Sequence, residues 1–139
     1  MKAKSYVSVF LAVVMTVLCI TSVSAASGDT TIVPRWTYTN NAICSIVFDG
    51  TDATVEISVE GKSSVTRITA IVTLYYKNWI GVWVEDDRCW EYDVSSRRLS
   101  TNESFEAKSG REYKAVLNAT VYSGSSSETV SDTGTGECP

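Results

Sequence analysis

Six aromatic side chains, Tyr75, Tyr76, Trp79, Trp83, Trp90 and Tyr92, crowd into eighteen consecutive residues. Aromatic faces stack on the apolar faces of sugar rings or fill pockets on a protein partner, while neighbouring Asn and Asp accept hydrogen bonds from hydroxyls. Tyr75, Trp79, Trp83 and Trp90 are therefore the candidate ligand-binding residues, with Trp79 and Trp83 the pair expected at the surface. The competing reading is that alternate aromatics fill a core, as tryptophan commonly does. The sequence leaves both readings open.

Other chemistries are constrained by composition. The chain has no histidine, the usual neutral-pH general base and transition-metal ligand, so Ser–His and Cys–His nucleophile pairs are excluded within it. Glu85, Asp86 and Asp87, with Glu91 and Asp93, offer hard oxygen ligands but no spaced calcium-loop pattern, and read as an acidic bend that keeps a strand edge soluble. No catalytic motif is present, and the expectation is a non-enzymatic protein with no cofactor and no metal.

Cys44, Cys89 and Cys138 are too far apart for a zinc site built on paired spacing. In an oxidising compartment three cysteines give one disulfide and one odd thiol, and three pairings are possible. Cys44–Cys89 is preferred because each lies in a strand-like stretch. Cys138, in a Gly-rich tail, is then a free or intermolecular thiol that can link a homodimer. A bridge over this span would stabilise by roughly 3–4 kcal/mol. The alternative is that all three thiols are unpaired.

The first twenty-five residues set the compartment. Met1, Lys2 and Lys4 lead into an apolar run from Tyr6 to Ile20 that closes on Val23-Ser24-Ala25, the pattern of a secretory signal peptide cut after Ala25. The run is shorter than the roughly 20 residues of a spanning helix, and Leu18 before Cys19 is too large for a lipoprotein cut. The mature protein is expected outside the cell and free of the membrane. Lys2 and Lys4 leave with this segment and every Asp and Glu stays, which takes the formal charge from −4 to −6. Such a surface lacks the cationic footprint that nucleic acid requires.

The elements that must position the aromatics are strands. Residues 26–34 are expected to be a polar, flexible leader. Alternating apolar and polar residues then predict strands over 42–48, 54–60, 67–77, 82–94, 99–105, 113–122 and 127–132, with a bulge or bend at residues 85–87 and a loose tail over 134–139. Seven short strands in about a hundred residues argue for an all-β antiparallel sandwich spanning 35–133.

Leu74-Tyr75-Tyr76-Lys77, then Trp83 and Trp90, then Gly110-Arg111-Glu112-Tyr113-Lys114 and Val121-Tyr122-Ser123-Gly124 with Glu128, resemble a family of small secreted bacterial domains with an Ig-like sandwich and no assigned function. The resemblance implies that Tyr113 occupies a tyrosine-corner position, its hydroxyl bonded to backbone at the strand entry. Ala115 stands where an antibody domain carries cysteine, so the inter-sheet disulfide of that class is not implied. The functional expectation is recognition of an extracellular protein or glycan; the alternative is a structural or self-associating secreted protein.

Overall fold

The computed structural model describes residues 35–139, so the expected signal peptide and leader lie outside the described residues. Seven strands follow one another: β1 (Thr39–Asp49), β2 (Asp52–Gly61), β3 (Arg67–Lys77), β4 (Trp83–Val94), β5 (Arg98–Glu106), β6 (Glu112–Ser123) and β7 (Ser126–Glu137). They form two antiparallel sheets, β1-β2-β5 and β4-β3-β6-β7, which face each other as a sandwich. In an antibody constant domain the fourth strand pairs with the fifth; here β4 pairs with β3 and lengthens the opposite sheet.

Period-two alternation builds the core. Val55, Ile57 and Val59 of β2 and Ile68, Val72 and Leu74 of β3 are buried together with Ala115, Leu117 and Val121 of β6. Burying a Val, Leu or Ile side chain contributes about 1.5–3 kcal/mol, so these three central strands dominate the apolar stabilisation. Gly50 opens the tight turn between β1 and β2 at a φ of 62°, which a side chain would resist.

β4 contains the expected bulge. Thr73 lies opposite Cys89 and Tyr75 opposite Glu85, so Asp86, Asp87 and Arg88 together face the single residue Leu74. Two extra residues preserve the in–out phase of the strand on either side.

The end of the chain is ordered, and this corrects the loose tail expected over 134–139. β7 runs to Glu137, and the N–H of Cys138 donates to Arg111 O at 3.0 Å while its carbonyl accepts from Gly110 N–H at 2.8 Å. Gly134 and Gly136 suggested flexibility, but each is glycine because something packs directly on it. A Cβ on Gly134 would lie 2.7 Å from the Cys44 carbonyl oxygen, and one on Gly136 2.7 Å from the Phe48 ring. The β1–β7 side is thereby closed by backbone approach, and Asp132 accepts from Cys44 N–H across it at 2.7 Å.

At the opposite end, Glu128 anchors the chain entering β1. Its carboxylate accepts from the backbone N–H groups of Thr37, Tyr38 and Thr39 and from the Thr39 hydroxyl. Partial burial pushes the Glu128 carboxyl up, but these donors together outweigh it and hold the group below the usual glutamate range. A lowered folded value favours the carboxylate, so the anchoring is fully present above the ordinary glutamate pKa and is lost as pH falls through the folded one. Protection of the amides of residues 37–39 against exchange, relative to their intrinsic rates, should therefore fall in acid before that of the central strands does, and Glu128→Gln should remove that pH dependence.

Candidate functional site

One end of the sandwich gathers the β1–β2 turn, the β3–β4 loop, the β5–β6 loop and the C-terminus. The β3–β4 loop is held by Asn78. Its backbone N–H and carbonyl bond Val82 O and Gly81 N–H at 2.9 and 3.0 Å, and its side-chain oxygen accepts from the N–H groups of Ile80 and Val82 at 3.1 and 2.9 Å. This bracing folds the five-residue loop so that its apolar side chains point away from the sandwich. Trp79 is 95% exposed, Ile80 59% and Val82 51%. Contiguous exposed apolar surfaces of this kind are costly in water unless they serve contact.

Beside Trp79 lies an open cleft of about 450 Å³, walled by Lys77 and Asn78 on one side and by Lys108, Ser109, Arg111 and Glu112 on the other. Its far wall is fixed by Tyr113, which is 2% exposed. The Tyr113 hydroxyl accepts from Lys108 N–H at 2.9 Å, and its ring packs on Phe105 and Phe48 at centroid distances of 5.2 and 6.2 Å. This is the hydroxyl-to-backbone bond near the strand entry that the resemblance implied for Tyr113. Arg111 lies over the Tyr76 ring at 4.5 Å, and Lys77 pairs with Glu112.

The structure separates the four candidate aromatics. Tyr75 and Trp83 share the outer face of the four-stranded sheet, half-buried, with Lys114 Nζ at 5.0 and 4.6 Å from their ring centroids and Lys77 Nζ at 5.6 Å from that of Trp83. The lysines already occupy positions over these rings, so an added sugar would have to displace a cation. Trp90 is half-buried: it lies opposite Val72 on the inner face and packs against the core with Tyr92. Tyr92 donates its hydroxyl to Glu103 of β5 at 2.7 Å, and burial followed by that carboxylate raises its pKa strongly. Trp79 is left as the openly accessible ring. Sequence reasoning did not assign Ile80 or Val82 to the site; the signal was the Asn78…Gly81 loop, which turns three apolar residues outward.

The expected Cys44–Cys89 bridge is also corrected. All three described cysteines are free thiols, Cys44 and Cys138 buried and Cys89 exposed. Cys44 lies on β1 of the smaller sheet and Cys89 on β4, the far edge of the other, so strand-like surroundings did not imply proximity. Burial pushes the Cys44 thiol up to about 11, with a lowering contribution from Gly134 backbone and a raising one from Asp132. Cys138 is fully buried and donates to Gly50 O at 3.4 Å, so it cannot reach a second chain unless the end of β7 leaves the sandwich. Iodoacetamide followed by peptide mapping should thus modify Cys89 at least about tenfold faster than Cys44 or Cys138 in the native protein, and denaturant should abolish the difference.

Among the described residues no group of three or more Cys, Asp or Glu is arranged to hold a metal ion. No family model matches the chain, and no curated protein matches it. The solution structure of CsgH from R. palustris is similar over 70% of this chain and 92% of that one, at 14% identity and a TM-score of 0.35.

Proposed function

We propose that this chain is a secreted, non-enzymatic recognition module of Ig-like form, which engages a protein or glycan outside the cell through the end of the sandwich that carries the β3–β4 loop. The observation that carries the reading is Trp79, almost wholly in solvent on a braced loop, beside a cleft edged with charged and hydrogen-bonding groups. Ile80 and Val82 beside it favour a protein partner, since a sugar would match the single ring and the polar cleft but not three adjacent apolar side chains. The secretory pattern of residues 1–25 supports an extracellular setting, and the absence of histidine supports binding over catalysis.

Trp79→Ala tests the reading. Because the ring contacts almost nothing in the fold, the melting temperature should change by less than about 2 °C, within the range of ordinary surface substitutions. Capture of envelope proteins, or retention on a glycan array, should fall at least about tenfold, as for loss of a central aromatic anchor. Unchanged capture, or a large loss of stability, would refute the assignment.

A further inference from the structure

The two open sides of the sandwich are unlike. Where β1 meets β7, backbone lies against backbone through Gly134. Where β4 faces β5, each strand is the last of its sheet, and side chains alone span the gap: Tyr92 to Glu103, and Arg88 to the Glu106 carbonyl at 3.4 Å with its guanidinium over the Phe105 ring. β4 therefore presents a free edge beside two half-buried inner-face aromatics, Trp90 and Tyr92. Backbone N–H and C=O groups on such an edge are ready to pair with an added strand.

We infer that β4 is an acceptor for an extended, cationic segment of a partner protein, which adds to the four-stranded sheet along residues 89–94 with apolar side chains toward Trp90 and Tyr92. The bulge at residues 86–88, with three residues opposite one, interrupts regular pairing along the strand, which confines the addition to the half that follows it. Charge chooses the occupant. Within this half of β4 Glu91 points outward and makes no ion pair among the described residues, while Asp93 is held by Arg67. A second copy paired antiparallel about position 91 would set Glu91 against Glu91, which like-charge repulsion disfavours. A segment alternating Lys or Arg with Val or Ile places a cation beside Glu91 and apolar groups inside. This edge is separate from the Trp79 loop, so the inference stands apart from the proposed function.

The probe is a synthetic decapeptide alternating Lys and Val, titrated into the exported protein and followed by calorimetry and by the alkylation rate of Cys89. Two control peptides accompany it: one alternating Glu and Val, and a Lys–Val peptide N-methylated at every second residue, which keeps its charge but cannot complete a strand ladder. The Lys–Val peptide should bind at least about tenfold tighter than either control and slow Cys89 alkylation. Glu91→Lys should weaken it by about tenfold, while Trp79→Ala should leave it unchanged. Equal binding of the N-methylated peptide would reduce the effect to charge attraction and overturn the inference, as would equal binding of the Glu–Val peptide or no binding at all.

Discussion

Tyr113→Ala should lower stability by about 3–5 kcal/mol, the range for deleting a buried aromatic ring. The loss has two separable parts. The ring lies between Phe48 of β1 and Phe105 of β5, so it joins the two sheets at the end that carries the Trp79 loop. The hydroxyl holds Lys108 N–H and with it the β5–β6 loop that walls the cleft. Tyr113→Phe keeps the ring and removes only the acceptor, and should cost about 1–3 kcal/mol, the desolvation penalty of a donor left without a partner. In a domain of this size each kcal/mol moves the melting temperature by about 4–8 °C. Thermal melts of the two variants therefore separate the contributions. If Tyr113→Phe melts like the parent, the hydroxyl bond contributes nothing net and the far wall of the cleft is held by other contacts.

Gly134→Val should be the most damaging small-to-large change in β7. Overpacking ordinarily costs about 1–3 kcal/mol because side chains can shift. Here the obstacle is main chain: a Cβ meets the Cys44 carbonyl oxygen and Ser45 Cα at 2.7 Å each, and neither can move without displacing β1. The expected loss is thus about 3 kcal/mol or more, with even Gly134→Ala above 1. Thr133→Ala, at the neighbouring exposed position, should be near neutral. A parted β1–β7 side would also lose the Cys44–Asp132 bond, so Cys44 should become open to alkylation in Gly134→Val as it is not in the parent. Retention of parental stability and of Cys44 protection would show that β1 and β7 are not in backbone contact.

The strands were legible because alternation is a direct consequence of burying one face of a pleated chain. Val55-Ile57-Val59 and Tyr113-Ala115-Leu117-Ala119-Val121 pack inward as their spacing implies. What misled was composition read without its neighbours. Gly134 and Gly136 have low strand propensity, and only the approach of β1 and Phe48 explains why nothing larger fits. The paired thiols failed for a related reason: disulfides depend on distance between strands, and a strand-like context does not reveal which sheet a strand joins.

The aromatic cluster illustrates the same limit on a finer scale. Trp83 and Trp90 differ in parity, which puts them on opposite faces of any regular strand, but the acidic interruption at 85–87 hid whether parity survives. It does, because the bulge adds two residues rather than one. Trp83 consequently faces outward with Tyr75, and Trp90 inward with Tyr92. The outward turn of Trp79, Ile80 and Val82 depends on the Asn78 side chain accepting two backbone N–H groups, a local geometry that alternation does not encode.

The most direct measurement is hydroxyl-radical footprinting of the protein, free in solution and after incubation with an envelope fraction that captures it, with oxidation read at each aromatic residue. Contact through the β3–β4 loop predicts that Trp79 oxidises readily in the free protein and is protected at least several-fold on capture, while Trp90, already packed against the core, is unchanged. Equal oxidation of Trp79 in the free and captured states would contradict recognition by this end of the sandwich.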